Sequence, residues 1–111
     1  MSNLYKIAGQ AAPTANSDTV LYTVPALKNF ISSTLALVNR NTSGVISSYR
    51  IAVVPAGESL ANRHYIEFDA LVDGRGSKRL TLGMTLSAGD TVVVRSSSGD
   101  MSFTLFGTEQ S

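Results

Sequence analysis

In Leu80-Thr81-Leu82-Gly83-Met84-Thr85-Leu86 every even position is apolar and every odd one is Thr or Gly. A period of two places alternate side chains on opposite sides of a β-strand, and a helix cannot gather such a set on one face. The run predicts a half-buried strand over residues 80–86 with one solvated face. The same period recurs where Tyr49, Ile51 and Val53 alternate with Arg50 and Ala52, and where Met101, Phe103 and Leu105 alternate with Ser102 and Thr104. His64, Ile66, Phe68 and Ala70 alternate with Tyr65, Glu67 and Asp69. Residues 19–24 and 31–38 are rich in the β-branched and aromatic side chains that suit a pleated surface. No window sustains a helical period, and residues 58–63 have room for one helical turn.

Turn chemistry separates these runs at a spacing of roughly 8–12 residues, which predicts an all-β, antiparallel β-sandwich, jelly-roll or Ig-like, of about seven or eight strands. The turns fall at Pro25-Ala26, Asn41-Thr42-Ser43-Gly44, Pro55-Ala56-Gly57, residues 73–77, Ala88-Gly89-Asp90 and residues 97–100. Before the first strong strand, a short apolar stretch from Leu4 to Ala8 is followed by GQAAPTANSD, small, polar and without pattern. Residues 1–18 are therefore expected as an N-terminal arm and residues 19–111 as the sandwich domain. Such an arm can fray or add a strand to a neighbour. Deletion of residues 1–14 is expected to leave the fold intact.

Composition narrows the function. The chain has 111 residues, enough for one domain that folds without metal or disulfide. Charged residues make up only 15%, against a usual ~25%. A polar but weakly charged surface suits protein–protein contact, because few ions must be desolvated on docking. The net charge of +1, with its basic residues scattered, gives no field for a phosphate backbone, so no nucleic acid is expected. With no cysteine, disulfides, thiolate zinc sites and thiol nucleophiles are excluded. No stretch approaches the ~18 apolar residues of a membrane helix, and the N-terminus lacks the apolar core of a secretion signal. A soluble protein made in a cytoplasm, with no membrane partner, is the expectation.

The one cluster that invites a catalytic reading is PAGESLANRHYIEFDA, which holds the only histidine. Alternation dissolves it: His64 is expected inward with Ile66 and Phe68, while Tyr65, Glu67 and Asp69 go outward together. Glu67 and Asp69 then share a face about 6–7 Å apart, opposite a basic residue such as Arg50 or Arg95. That spacing falls within the range of glycosidase carboxylate pairs, but few aromatics and no Trp are present to form a sugar platform. Of the four tyrosines only Tyr65 is clearly predicted to face outward. No G-x-S-x-G turn, Walker spacing or second histidine accompanies these residues. No enzyme, cofactor or metal is expected. Arg75, Lys78 and Arg79 form a basic hairpin tip suited to an acidic patch on a partner. Asn41-Thr42-Ser43 matches a glycosylation sequon but reads as turn chemistry.

TVLYTVPA, STLALVNRN, YRIAVVPAGESLANRHYIEFD, LTLGMTLSAGDTVVV and a closing SFTLFGTE follow in this order over residues 19–109. The series resembles small β-sandwich accessory virion proteins of tailed bacteriophages, which decorate heads or attach at the neck and tail. The resemblance implies a virion structural protein, in the first place a capsid decoration or cement protein stabilising the coat lattice. It implies other virion proteins as partners, the major capsid protein first, and assembly in the host cytoplasm. A homo-oligomer is expected, trimers in particular, because coat lattices offer three-fold positions. The alternatives are a neck, collar, tail or fibre component, and a receptor- or carbohydrate-binding module. The expected contact residues are Leu4, Tyr5 and Ile7 of the arm, Arg75, Lys78 and Arg79 of the tip, and the Tyr65, Glu67, Asp69 face.

Overall fold

The alternating runs become strands in the computed structural model, which describes residues 2–111. In chain order these are β1 (Asn3–Ala11), β2 (Thr19–Thr23), β3 (Asn29–Asn39), β4 (Ser47–Val54), β5 (Tyr65–Val72), β6 (Ser77–Leu80), β7 (Thr85–Leu86), β8 (Thr91–Ser96) and β9 (Met101–Gln110), with a single 3₁₀ turn at Asn62–His64. One sheet has the order β1-β9-β3-β6, with β7 also paired to β3, and the other the order β2-β8-β4-β5. All pairs are antiparallel. With β6 and β7 taken as one interrupted strand, the first strand pairs the last, the second the next to last, and so inward to β4 with β5. That is the rolled-up hairpin of a jelly roll, not the strand order of an Ig domain.

Between the sheets lie Phe30, Leu35, Tyr49, Ile51, Val92, Val94, Met101, Phe103 and Leu105, each 1% exposed or less. They come from the predicted inward positions of β4 and β9, and from β3 and β8, whose faces the sequence left unassigned. Burying each large side chain contributes on the order of 1.5–3 kcal/mol. The Tyr49 and Phe103 rings meet edge to face at 6.3 Å across the two sheets.

The expected strand over 80–86 is split. Its alternation survives in burial, since Leu80, Leu82, Met84 and Leu86 pack on the core while Thr81, Gly83 and Thr85 are exposed. Its ladder does not survive, because four residues separate Leu80 from Thr85 where β3 has three between Leu35 and Ile31. Ser32 fills the gap: its hydroxyl donates to the Leu82 carbonyl and accepts from the Met84 amide at 3.1 Å. This interruption raises the strand count above the expected one.

The expected arm is not free either. Residues 3–11 pair with β9 along their length, so they belong to the sandwich, and only residues 12–18 connect β1 to β2. β1 gave a weak signal because it is an edge strand. Its side chains on the outer face are exposed, and its contribution to the core is the small Ala8 and Ala11. At Gly9 it passes so close to β2 that a Cβ would overlap the Leu21 carbonyl oxygen. Removing residues 1–14 would take away a sheet edge, contrary to the expectation for an arm.

β5 departs furthest from simple alternation. Ile51 faces Glu67, Ala52 faces Tyr65 and Tyr49 faces Ala70, so the register shifts twice within one strand. Each extra residue inverts the faces of those that follow. Asp69, at φ 52°, occupies the left-handed conformation at the second shift. Glu67 consequently turns to the core side beside Tyr49, away from Tyr65, and Asp69 returns to the outer side. Ile66 and Phe68, expected inside, are 43% and 56% exposed.

Candidate binding surfaces

Three groupings of side chains stand out: one buried and two open. The buried one centres on Glu109, 4% exposed although it is a carboxylate. The period that sends Met101, Phe103 and Leu105 inward continues through Gly107 to Glu109, so β9 itself aims this carboxylate between the sheets. The Tyr22 hydroxyl of the opposite sheet donates to Oε2 at 2.6 Å, and Lys6 Nζ of β1 donates to the same oxygen at 3.2 Å. Lys28 Nζ lies 3.9 Å from Oε1. The Tyr22 hydrogen bond, with support from Lys6 and Lys28, holds the Glu109 carboxyl below its ordinary range against the opposing effect of burial. Burial and the Glu109 carboxylate together push the Tyr22 hydroxyl up. This cluster ties β1, β2, β9 and the β2–β3 turn together. It was missed in the sequence because period alone could have flagged Glu109 as inward but could not name its partners.

The first open surface is the outer side of the four-stranded sheet. Arg50 and Arg95 are directly opposite across β4 and β8, an arrangement of like charges that is unfavourable without compensation. Asp69 accepts two bonds from the Arg50 guanidinium at 2.7 and 3.3 Å, and Asp18 lies 3.4 Å from Arg95. The Arg50 bond holds the Asp69 carboxyl below its usual range. The Arg50 guanidinium also lies 4.1 Å from the Phe68 ring centre, and Phe68 meets Tyr65 edge to face at 5.0 Å. A polar recess of about 230 Å³ adjoins, lined by Asn16, Ser48, Arg50, Asp69, Arg95 and Ser97 among others.

The second open surface is the outer side of the five-stranded sheet. Tyr5, Thr108 and Ile31 form one row across β1, β9 and β3, and Ile7, Phe106 and Thr34 form the next. Tyr5 is 80% exposed, Ile7 54%, Ile31 41% and Phe106 38%. Threonine and small residues continue the face along β9 and β3, and a shallow groove of about 490 Å³ runs beside Tyr5, Ile7 and Phe106.

The other expected site residues do not converge. His64 is buried, but in the 3₁₀ turn ahead of β5 and not through strand alternation. Its Nδ1 accepts the Ala61 amide at 2.9 Å, which leaves Nε2–H to face Glu58 at 3.0 Å. It pins the 55–64 segment, whose Leu60 packs with Tyr65 over Ala52, Val54 and Val93. Glu67 accepts the Tyr49 hydroxyl at 2.9 Å and so is no partner of Asp69. Arg75 bonds the Thr42 carbonyl, Lys78 turns inward over the Tyr49 ring at 5.4 Å, and Arg79 faces outward near Ser77. Tyr65 is only half-exposed, and Tyr5 is the outward tyrosine. Asn41 Oδ1 accepts the Ser43 and Val45 amides at 2.9 and 3.1 Å, the turn role expected of the sequon asparagine. Among the described residues, no group of three or more His, Cys, Asp or Glu is placed to hold a metal. Comparisons with family models, curated proteins and solved structures returned no match.

Proposed function

We propose that this chain is a non-catalytic virion structural protein of a tailed phage, a capsid decoration or cement protein that docks on the coat lattice. The observation that carries the reading is the uncovered outer face of the five-stranded sheet. A contiguous apolar patch of this kind marks a contact surface more often than a plain solvent face. Tyr5, Ile7, Ile31 and Phe106 supply aromatic and β-branched contacts there, and the flanking threonines leave few ions to desolvate. The resemblance over residues 19–109 supports the same class. So, as an analogy of fold alone, does the jelly-roll strand order, which recurs in capsid proteins.

The mechanism is mass action. A rigid sandwich that binds only assembled subunits stabilises the assembled shell over the dissociated one. Purified chain mixed with shells lacking it should bind and raise their melting temperature, and Phe106→Asp should bind less while remaining folded. No binding and no rise in melting temperature would overturn the reading. Copy number separates head from neck or tail: hundreds per particle place it on the head.

A second reading, carbohydrate or receptor binding, draws on the other open surface. Phe68 presents an exposed ring beside the Arg50–Asp69 pair and the serine-lined recess, and sugars are held by such a combination of apolar face and hydrogen-bonding rim. A glycan array without hits removes it. A hit abolished by Phe68→Ala would place the site.

A further inference from the structure

A sheet edge is a row of unpaired N–H and C=O groups, and folded proteins blunt such rows to avoid unwanted pairing. This sandwich has an edge at β2, at β5, at β1 and at β6 with β7. Three of them are blunted. β6 has four residues, carries Lys78 and Arg79, and is cut off from the two-residue β7. β5 holds two register shifts, Glu67 and a left-handed Asp69. β2 has five residues, with a shift between Val20 and Tyr22. β1 is different. It spans nine residues without proline, and its only charged side chain, Lys6, is turned inward to Glu109. Its one irregularity, at Ala8, leaves Asn3 to Ile7 in unbroken register.

The ladder shows which groups this edge offers. Ser2 and Ser111 exchange both backbone bonds, at 3.1 and 3.0 Å, so they are a hydrogen-bonded pair. Antiparallel ladders alternate, which makes Leu4 with Glu109 and Lys6 with Gly107 the next such pairs. The N–H and C=O groups of Asn3, Tyr5 and Ile7 therefore point to the free edge.

We propose that β1 is a self-association edge, where two copies of this chain pair β1 to β1, antiparallel, about a two-fold axis perpendicular to the sheet. Charge argues for a second copy as the occupant. β1 brings no free charge against itself, whereas β6 would oppose Lys78 and Arg79, and β5 would oppose carboxylates, to their own likenesses. Charge also selects the register. Centring the pair on Lys6 would set two ammonium groups face to face. Centring it on Tyr5 places Tyr5 opposite Tyr5, Asn3 opposite Ile7, and Leu4 opposite the stem of Lys6 from the second copy. In that register Asn3, Tyr5 and Ile7 all find backbone partners. A perpendicular axis keeps both outer faces on the same side, so the face that carries Tyr5, Ile7, Phe106 and Ile31 continues into the second copy. The pairing stands independently of the coat-binding reading, and it makes a dimer, not the trimer expected from lattice symmetry.

One strand pair is a small interface, so association is read by sedimentation velocity over roughly 1–500 µM, a span suited to weak contacts. The expected result is a species approaching twice 11.7 kDa at high concentration. Tyr5→Pro removes an outward N–H and no bond to β9, and should give a folded monomer, with circular dichroism checking the fold. Tyr5→Lys, which sets like charges across the axis, should do the same if the proline variant fails to fold. Tyr5→Cys, in a chain without other cysteine, should cross-link to itself on oxidation, because hydrogen-bonded partners lie about 5.5 Å apart at Cα. Gln10→Cys should not cross-link. A monomer throughout, or an oligomer that Tyr5→Lys leaves intact, overturns the proposal. A native chain that dimerises but does not bind shells would sink the coat-binding reading alone.

Discussion

Glu109 and Asp69 are both carboxylates on β-strands with basic partners, yet the molecule uses them differently. Glu109 is 4% exposed and joins both sheets through Tyr22, Lys6 and Lys28, while the Asp69 side chain is 49% exposed and joins neighbouring strands of one sheet through Arg50. Removing a partner from water makes its loss costly, because what remains is a buried polar group without a bond. An exposed pair loses little, since water replaces the missing partner. Burial, more than the number of contacts, decides which cluster holds the fold together.

The sharpest way to break that contrast is Glu109→Ala. It should cost about 1–3 kcal/mol, the range for leaving a buried polar group, here the Tyr22 hydroxyl, without its partner, measured by urea unfolding. A loss below about 1 kcal/mol would put the two clusters in the same class. Next comes Gly107→Ala, one inward position before Glu109. Its Cβ would overlap the Ile31 carbonyl oxygen and the Phe30 ring, so a cost of about 1–3 kcal/mol is expected from overpacking. An unchanged midpoint would show that this end of the sandwich can relax.

The pH dependence sharpens the comparison further. Because the folded protein holds Glu109 below its ordinary value of 4.5, the unfolded chain takes up that proton first as pH falls. The stabilisation is therefore fully present above the unfolded value and is lost as pH drops through the folded one. Glu109→Gln should flatten the unfolding curve below about pH 4.5 while lowering stability at neutral pH. An acid limb identical to that of the native chain would remove Glu109 as its source. Asp69→Asn should have the smallest effect, a midpoint close to that of the native chain and closer still in salt. Asn tolerates the left-handed conformation at this position, so the substitution isolates the charge.

The face assignments of β4 and β9 were legible in their residues because the period of two runs through them unbroken. The same period runs on through Gly107 to Glu109, so the inward position of Glu109 was signalled in the sequence, but the expectation for this strand ended at Leu105. β5 was misread for a physical reason: each inserted residue inverts the faces beyond it, and alternating residue types look the same with or without the insertion. Asp69 tolerates a positive φ, but Asp is common enough in strands and turns that this gives no signal alone. β1 was underestimated because its pairing comes from backbone bonds to β9, which leave little trace in side-chain type.

The sequence by itself determined that this chain is all-β, where its main turns fall, and which side chains of the unbroken strands go inside. The jelly-roll strand order, the partners of Glu109, the scattering of the three basic residues near the 73–77 turn and the exposure of β1 were decided by the tertiary structure. Alternation is local, recording the two sides of one strand. Pairing and register depend on bonds between residues as much as 109 positions apart, and those form only when the whole sheet closes.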